Sequence, residues 1–293
     1  MNVTDIAELW DFDRPDVSEE RFRAALGAAT GSDALVLRTQ LARALGLQRR
    51  FDEAAAELDA VPDNGDPLVR TYRELERGRV LNSGGDPDGA RAHFLTALAE
   101  AEAAGLDHLA ADAAHMMAIV EPGEAQLPWA ERALAIAEAS ADPRARRWIG
   151  SVSHNLGWTL HGLGRHEEAL AVWRRALTFR EEQFREEQSR EEQFREEHGD
   201  AGALHIAQWT VARGLRSLGR YEEALAIQRD LAGRVDSDGY VREELGELLL
   251  ALGRPDEARP HFAAAYAMLS QDEWLAADEP DRLARLAALG AAD

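Results

Sequence analysis

Aromatic, histidine and charged side chains recur at helical spacing along five stretches of this chain. The stripes are Tyr72, Arg79 and Asn82; His108, Asp112 and His115; Ser151, His154, Trp158 and His161, beside Asn155; Trp209, Arg213 and Arg216; and Tyr240, Glu243 and Glu247. Steps of three, four and seven residues share one face of an α-helix. Trp and Arg are the residue types that anchor interfaces, and Arg can donate two parallel hydrogen bonds to a carboxylate or phosphate group. The stripes therefore predict a binding surface, with a merely solvated polar face as the alternative.

A metal or hydrolytic site is the rival interpretation of the same residues. Asp112 and His115, three apart on one helix, could supply two metal ligands, and His154 and His161 could join them. The chain contains no HExxH, no nucleophile elbow, no Gly-rich phosphate loop and no Cys. We therefore expect no catalytic residue, metal or cofactor, and keep an enzyme or metal-binding protein with a His/Asp site as the alternative function.

Composition restricts the class of partner. The chain has 293 residues, 33 basic residues that are all Arg, and a net charge of −21. A chain this acidic is repelled by phosphate backbones, so we expect no nucleic-acid partner. No apolar run is long enough to span a bilayer, and the N-terminal MNVTDIAELWDFD lacks the apolar core of a signal peptide. A cytoplasmic protein with no membrane partner is the expectation.

Residues 155–177, NLGWTLHGLGRHEEALAVWRRAL, predict two short helices joined by a Gly-rich turn. Gly157 and Ala169 are small where the helices must meet, while Trp173 and Ala176 continue the packing face of the second helix. Gly164 suits the left-handed conformation that ends a helix. This order of a small residue, a turn, and then Ala, an aromatic residue and Ala resembles the tetratricopeptide repeat, a helix–turn–helix unit of about 34 residues.

The pattern recurs along the chain. Aligned on the small residue, repeats begin near residues 35, 71, 107, 150, 205 and 239. The resemblance implies an all-α fold, a right-handed α-solenoid of about six repeats. We expect an N-terminal cap over 1–32, the array over 33–270 and a C-terminal capping helix over 271–293. Capping boxes at Asp16–Glu19 and Ser270–Glu273 predict the starts of flanking helices.

A five-residue unit, REEQF or REEQS, repeats between residues 180 and 198. Each Glu four residues before an Arg, as in Glu181 and Arg185, stabilises a helix by a few tenths of a kcal/mol. We therefore expect one helix from His166 to His198. A period of five winds the Phe residues around the helix and forms no coiled-coil seam. The segment is interpreted as a solvated extension, with a docking arm for a second subunit or partner as the alternative.

The resemblance also implies a use for the stripes. In tetratricopeptide arrays the first helices line a concave groove that commonly binds an extended peptide or a partner helix. The five stripes lie on the first helices, away from the packing face, so neither Trp158 nor Arg213 is expected to matter for folding. We expect a bacterial, non-catalytic interaction scaffold whose groove binds a protein or peptide with carboxylate groups. The sequence leaves the oligomeric state open.

Overall fold

The structure is a computed structural model that describes residues 4–190, 199–234 and 238–291, and these residues form helices and no strand. It divides into two compact units, Met1–Val152 and Ser153–Asp293. The helices of the first unit are α1 Thr4–Leu9, α2 Pro15–Leu26, α3 Gly31–Leu47, α4 Phe51–Asp59, α5 Pro67–Ser83, α6 Pro87–Ala104, α7 Asp107–Val120, α8 Gln126–Ala139 and α9 Pro143–Arg146. A 3-10 turn, Gly123–Ala125, precedes α8.

The boundary between the units falls within α10, Trp148–Gly162. The remaining helices belong to the second unit: α11 His166–Arg190, α12 Gly199–Ser217, α13 Tyr221–Ala232, α14 Gly239–Ala251, α15 Pro255–Leu269, α16 Glu273–Asp278 and α17 Pro280–Gly290. We call α3, α5, α7, α10, α12 and α14 first helices, and the helix that pairs with each of them a second helix. First helices also contact one another, α3 with α5, α5 with α7 and α12 with α14. The predicted all-α helical-repeat fold is confirmed, while the number of repeats stays a prediction.

Helices pair where a small residue on the first helix faces an aromatic ring on the second, at a constant separation in sequence. A Cβ added at Gly78 would overlap Phe94, one at Gly157 would overlap Trp173, and one at Gly246 would overlap Phe262. These three rings are at most 1% exposed. Truncating such a ring to Ala typically costs roughly 3–5 kcal/mol of stability. The Trp173 indole N–H also donates to the His154 carbonyl at 3.1 Å, so the helix contact carries no unsatisfied donor there.

Local capping chemistry determines where helices begin and end. The Asp86 carboxylate accepts from the Gly89 N–H, and Asp142 accepts from the Arg144 N–H, each at 2.9 Å, before a Pro in the first turn. At the end of α10, Gly164 has φ +76°, a conformation that L side chains rarely adopt. The next N–H, of Arg165, then donates to the Leu160 carbonyl at 2.9 Å.

Two predicted capping boxes are wrong. Helix α2 begins at Pro15, whose fixed φ suits the first helical position, and Glu19 instead binds Arg50 at 2.6 Å. At the start of α16 the capping oxygen belongs to Asp272, which accepts from the Leu275 N–H at 3.2 Å, rather than to Ser270.

The long second helix of the pentad region is described as far as Arg190 in α11. Its predicted continuation to His198 lies outside the described residues. Within the described residues, no helix combines the length and apolar character that a membrane span requires.

Candidate functional site

Ion pairs connect consecutive first helices in a repeated register, which we call the ladder. An Arg lies one residue after the small residue of one repeat. Its acidic partner lies two residues before the small residue of the next repeat. The ladder pairs are Arg43–Glu76, Arg79–Asp112 and Arg213–Glu244. Since each pair joins two consecutive repeats, the pairs hold neighbouring repeats together rather than stabilising single helices.

In the first unit the carboxylates of the ladder are buried. The Glu76 side chain is 0% exposed, accepts from Arg79 at 2.6 Å, and lies 3.9 Å from Arg43. Arg79 also donates to Asp112, which is 5% exposed. Burial, together with these carboxylates, raises the pKa of the neighbouring Tyr72 hydroxyl to about 12. The predicted binding residues Arg79 and Asp112 therefore satisfy each other.

The other predicted residues of this unit are also largely inaccessible, which differs from the expectation of a groove-facing stripe. Tyr72, His108 and His115 are each at most 9% exposed, and Asn82 is half-buried. Burial lowers the pKa of both histidines, against the attraction of nearby carboxylates. The physical reason is that α5 packs on α3 and α7, and α9 packs on α7, which encloses polar side chains that helical spacing alone places at the surface.

The second unit instead contains an open cleft of about 520 Å³. We call it the Trp209 cleft. Its lining residues come from α10, α12, α14 and α17, with Glu279 just before α17: Trp158, Trp209, Arg213, Arg216, Tyr240, Glu243, Glu244, Glu247, Glu279, Arg282 and Arg285. A volume of this size lies within the range of roughly 300–1,000 Å³ of small-ligand pockets.

Three aromatic rings form one wall of the cleft. The Trp209 ring centroid lies 6.1 Å from that of Trp158 and 6.2 Å from that of Tyr240. Trp158 also packs edge-on against the buried Trp173 at 5.1 Å. The expectation that Trp158 takes no part in packing is therefore wrong, because the indole is wide enough to touch both the core and the cleft. Tyr240, at 37% exposed, is the most accessible of the three.

The buried carboxylate of Glu244 binds two arginines of the cleft. Arg216 donates to both Glu244 oxygens, at 2.7 and 3.0 Å, and Arg213 reaches the same carboxylate at 3.1 Å. Burial raises the pKa of Glu244, although the two arginines oppose this shift. Both predicted arginines thus already have an ion-pair partner that the sequence interpretation missed.

Helix α17 completes the cleft as though it were one more first helix. Arg282 donates to Glu243 at 2.5 Å, Arg285 donates to Glu247, and the Arg282 guanidinium lies 5.4 Å from the Tyr240 centroid. Arg285 lies two residues before a small Ala, so this contact repeats the ladder with its charges reversed. The position of Arg285, two residues before a small residue, could have predicted from the sequence that α17 lines the cleft.

The remaining predicted residues lie beside the aromatic wall. His154 accepts from the Trp158 indole N–H at 3.2 Å, and a His161 ring nitrogen lies 2.8 Å from the Ser217 hydroxyl. Burial lowers the pKa of both histidines, and Arg213 contributes to the shift of His161. Asn155 is half-buried. In the part of the chain that the structure describes, no three His, Asp or Glu side chains are grouped to hold a metal ion.

Comparison with known proteins identifies the repeat. Models of the tetratricopeptide repeat match residues 151–182 and 239–269. The structure is similar to that of the apo quorum sensor NprR from B. thuringiensis, with a TM-score of 0.62 at 16% identity over 97% of this chain and 78% of NprR. It is also similar to apo RapI, with a TM-score of 0.64 at 11% identity over 96% of this chain and 82% of RapI.

NprR in complex with its cognate peptide NprX gives a TM-score of 0.54 at 16% identity over 98% of this chain and 81% of that one. Among curated proteins none matches this chain. The chain therefore contains tetratricopeptide repeats, at residues 151–182 and 239–269, within an all-α fold similar to those of solved tetratricopeptide-repeat proteins.

Proposed function

We propose that the chain is a non-catalytic interaction scaffold and that the Trp209 cleft binds an extended peptide or helix of a partner protein. Tetratricopeptide-repeat folds generally serve as interaction scaffolds. Three aromatic rings beside exposed guanidinium groups supply the residue types that concentrate binding energy at interfaces. This juxtaposition on an open surface is the observation that carries the proposal.

The order of exposure indicates which charges a partner meets. The glutamate side chains of α14 are covered: Glu243, Glu244 and Glu247 are 13%, 5% and 14% exposed. The arginine side chains above them are more open, Arg285 at 51% and Arg282 at 28%. Of the lining carboxylates Glu279 alone is comparably open, at 50% exposed. A partner therefore meets more guanidinium than carboxylate groups, which favours carboxylate groups in the bound segment.

Similarity of fold adds support by analogy. NprR, whose fold resembles this one, has been solved in complex with its cognate peptide. A protein of similar fold thus binds a peptide.

A peptide-display selection on the immobilised protein tests the proposal. Tyr240→Ala removes an exposed ring from the cleft, and Tyr266→Ala removes a ring of similar exposure from α15, 40% against 37%. Selected peptides should bind wild type and Tyr266→Ala equally and Tyr240→Ala at least tenfold more weakly. Peptides that bind all three equally, or no enrichment over an unrelated acidic protein, would refute the cleft as the binding site.

A further inference from the structure

This inference rests on the proposed function and concerns the sequence of the bound segment. Two arginines of the ladder, one in each unit, share their register, their exposure and an acidic neighbour. Arg43 and Arg213 each follow the small residue of a first helix, and each side chain is 26% exposed. Each guanidinium lies beside a covered glutamate of the next first helix, Glu76 at 0% exposure and Glu244 at 5%.

In the first unit the chain itself shows what packs on such an arginine. The rings of Trp10 and Phe12 stack on each other, with centroids 4.6 Å apart and planes 2° from parallel. The Arg43 guanidinium lies 5.4 Å from both centroids. Trp10 also donates its indole N–H to the Gln40 side chain at 3.2 Å. A non-helical Trp-Asp-Phe segment is thus held by cation–π contact to a ladder arginine, an interaction that grows stronger as the groups are desolvated.

In the second unit the corresponding arginine, Arg213, faces the Trp209 cleft. Its Nε lies 3.1 Å from the Glu244 carboxylate, where Arg43 lies 3.9 Å from Glu76, and Trp209 lies one helical turn before it. We propose that the cleft binds a partner segment with the pattern aromatic–acidic–aromatic, whose two rings stack on Arg213 as Trp10 and Phe12 stack on Arg43.

The charge of the central residue follows from the groups around the cleft. Arg216, Arg282 and Arg285 face it from α12 and α17, and the glutamates of α14 lie beneath them. Glu279, whose side chain is 50% exposed, is the accessible carboxylate of the lining, and it is ion-paired with Arg282 at 3.2 Å. Three guanidinium groups against one accessible carboxylate therefore favour an acidic central residue over a basic one.

Fluorescence anisotropy with labelled, end-capped peptides tests this pattern on the full chain. A peptide containing Trp-Asp-Phe should bind at least tenfold more tightly than the same peptide with Ala-Asp-Ala or with Trp-Lys-Phe. Arg213→Lys keeps the charge but loses the planar group, and it should weaken Trp-Asp-Phe binding at least fivefold. Arg43→Lys and Tyr266→Ala should leave that binding unchanged.

Equal binding of Trp-Asp-Phe and Ala-Asp-Ala, or an Arg213→Lys variant that binds as wild type while folded by circular dichroism, would overturn the inference. The proposed function is separable from it. If display selection yields peptides that depend on Tyr240 but lack paired aromatic residues, the cleft binds peptides and only the aromatic–acidic–aromatic pattern is wrong.

Discussion

Gln228 on α13 is 0% exposed, and neither atom of its amide has a hydrogen-bond partner among the described residues. It occupies the position where other second helices carry Phe94, Trp173 or Phe262, at the same separation in sequence from the small residue of its repeat, here Ala212. A buried polar group left unpaired costs about 1–3 kcal/mol. Gln228→Leu removes the amide at similar volume and should raise the unfolding free energy by about 2 kcal/mol.

The gain should appear as a higher melting temperature. A cooperative unit of roughly 150 residues shifts by about 2–4 °C per kcal/mol. Gln228→Leu should therefore melt about 4–8 °C higher when followed by circular dichroism. A variant that melts below wild type would refute the argument, because it would show that the amide makes hydrogen bonds worth more than its burial costs.

A double-mutant cycle tests the packing rule behind this prediction. In the three repeats with a ring at this position the ring lies over Gly, whereas Ala212 carries a Cβ. Gln228→Phe alone should overpack the contact and cost about 1–3 kcal/mol relative to Gln228→Leu. Adding Ala212→Gly should recover stability despite its helix-propensity cost of about 1 kcal/mol. Additive effects of the two changes would show that positions 212 and 228 do not face each other.

Three further predictions concern stability. Gly157→Ala should lower the unfolding free energy by about 1–3 kcal/mol in a urea titration, because its Cβ would overlap Trp173. Gly162→Ala has open space around it and should be nearly neutral in the same measurement. The raised pKa of Glu244 means that its ionisation opposes folding, so wild type should gain stability relative to Glu244→Gln as pH falls through that pKa toward the ordinary 4.5. The lowered pKa of His161 means that protonating this side chain opposes folding. Wild type should therefore lose stability relative to His161→Asn as pH falls below about 6.5. A wild-type-minus-variant difference that stays flat with pH would contradict either of the last two.

The helical repeats were predictable because their signal is local. A small residue, a turn and a ring at a fixed distance identify each pair, as Gly157 and Trp173 do. Where the turn lengthens, between α7 and α8, the position sixteen residues after Ala114 holds Ala130 instead of a ring, so only Ala114 identifies the first helix. The helix starts were less predictable, since Pro15 and Asp272 compete with the capping boxes beside them.

The candidate site was predictable in composition but not in accessibility. Helical spacing placed Arg79 and Asp112 on the stripes of two different helices. Spacing within one helix does not show that these two side chains form an ion pair between neighbouring repeats. The same limit hid Glu244 beneath Arg213 and Arg216, and Arg282 beside Tyr240. A search of the sequence for Arg and an acidic residue about one repeat apart would have found the three ladder pairs.

Binding of a partner segment in the Trp209 cleft is the property on which the proposed function depends. Isothermal titration of a display-selected peptide against wild type, Tyr240→Ala and Tyr266→Ala measures it most directly. Tyr240→Ala should weaken binding by about 2 kcal/mol, roughly 30-fold, as expected for an interface anchor, while Tyr266→Ala should bind as wild type. Equal affinities for Tyr240→Ala and wild type, with both proteins folded, would contradict binding in this cleft.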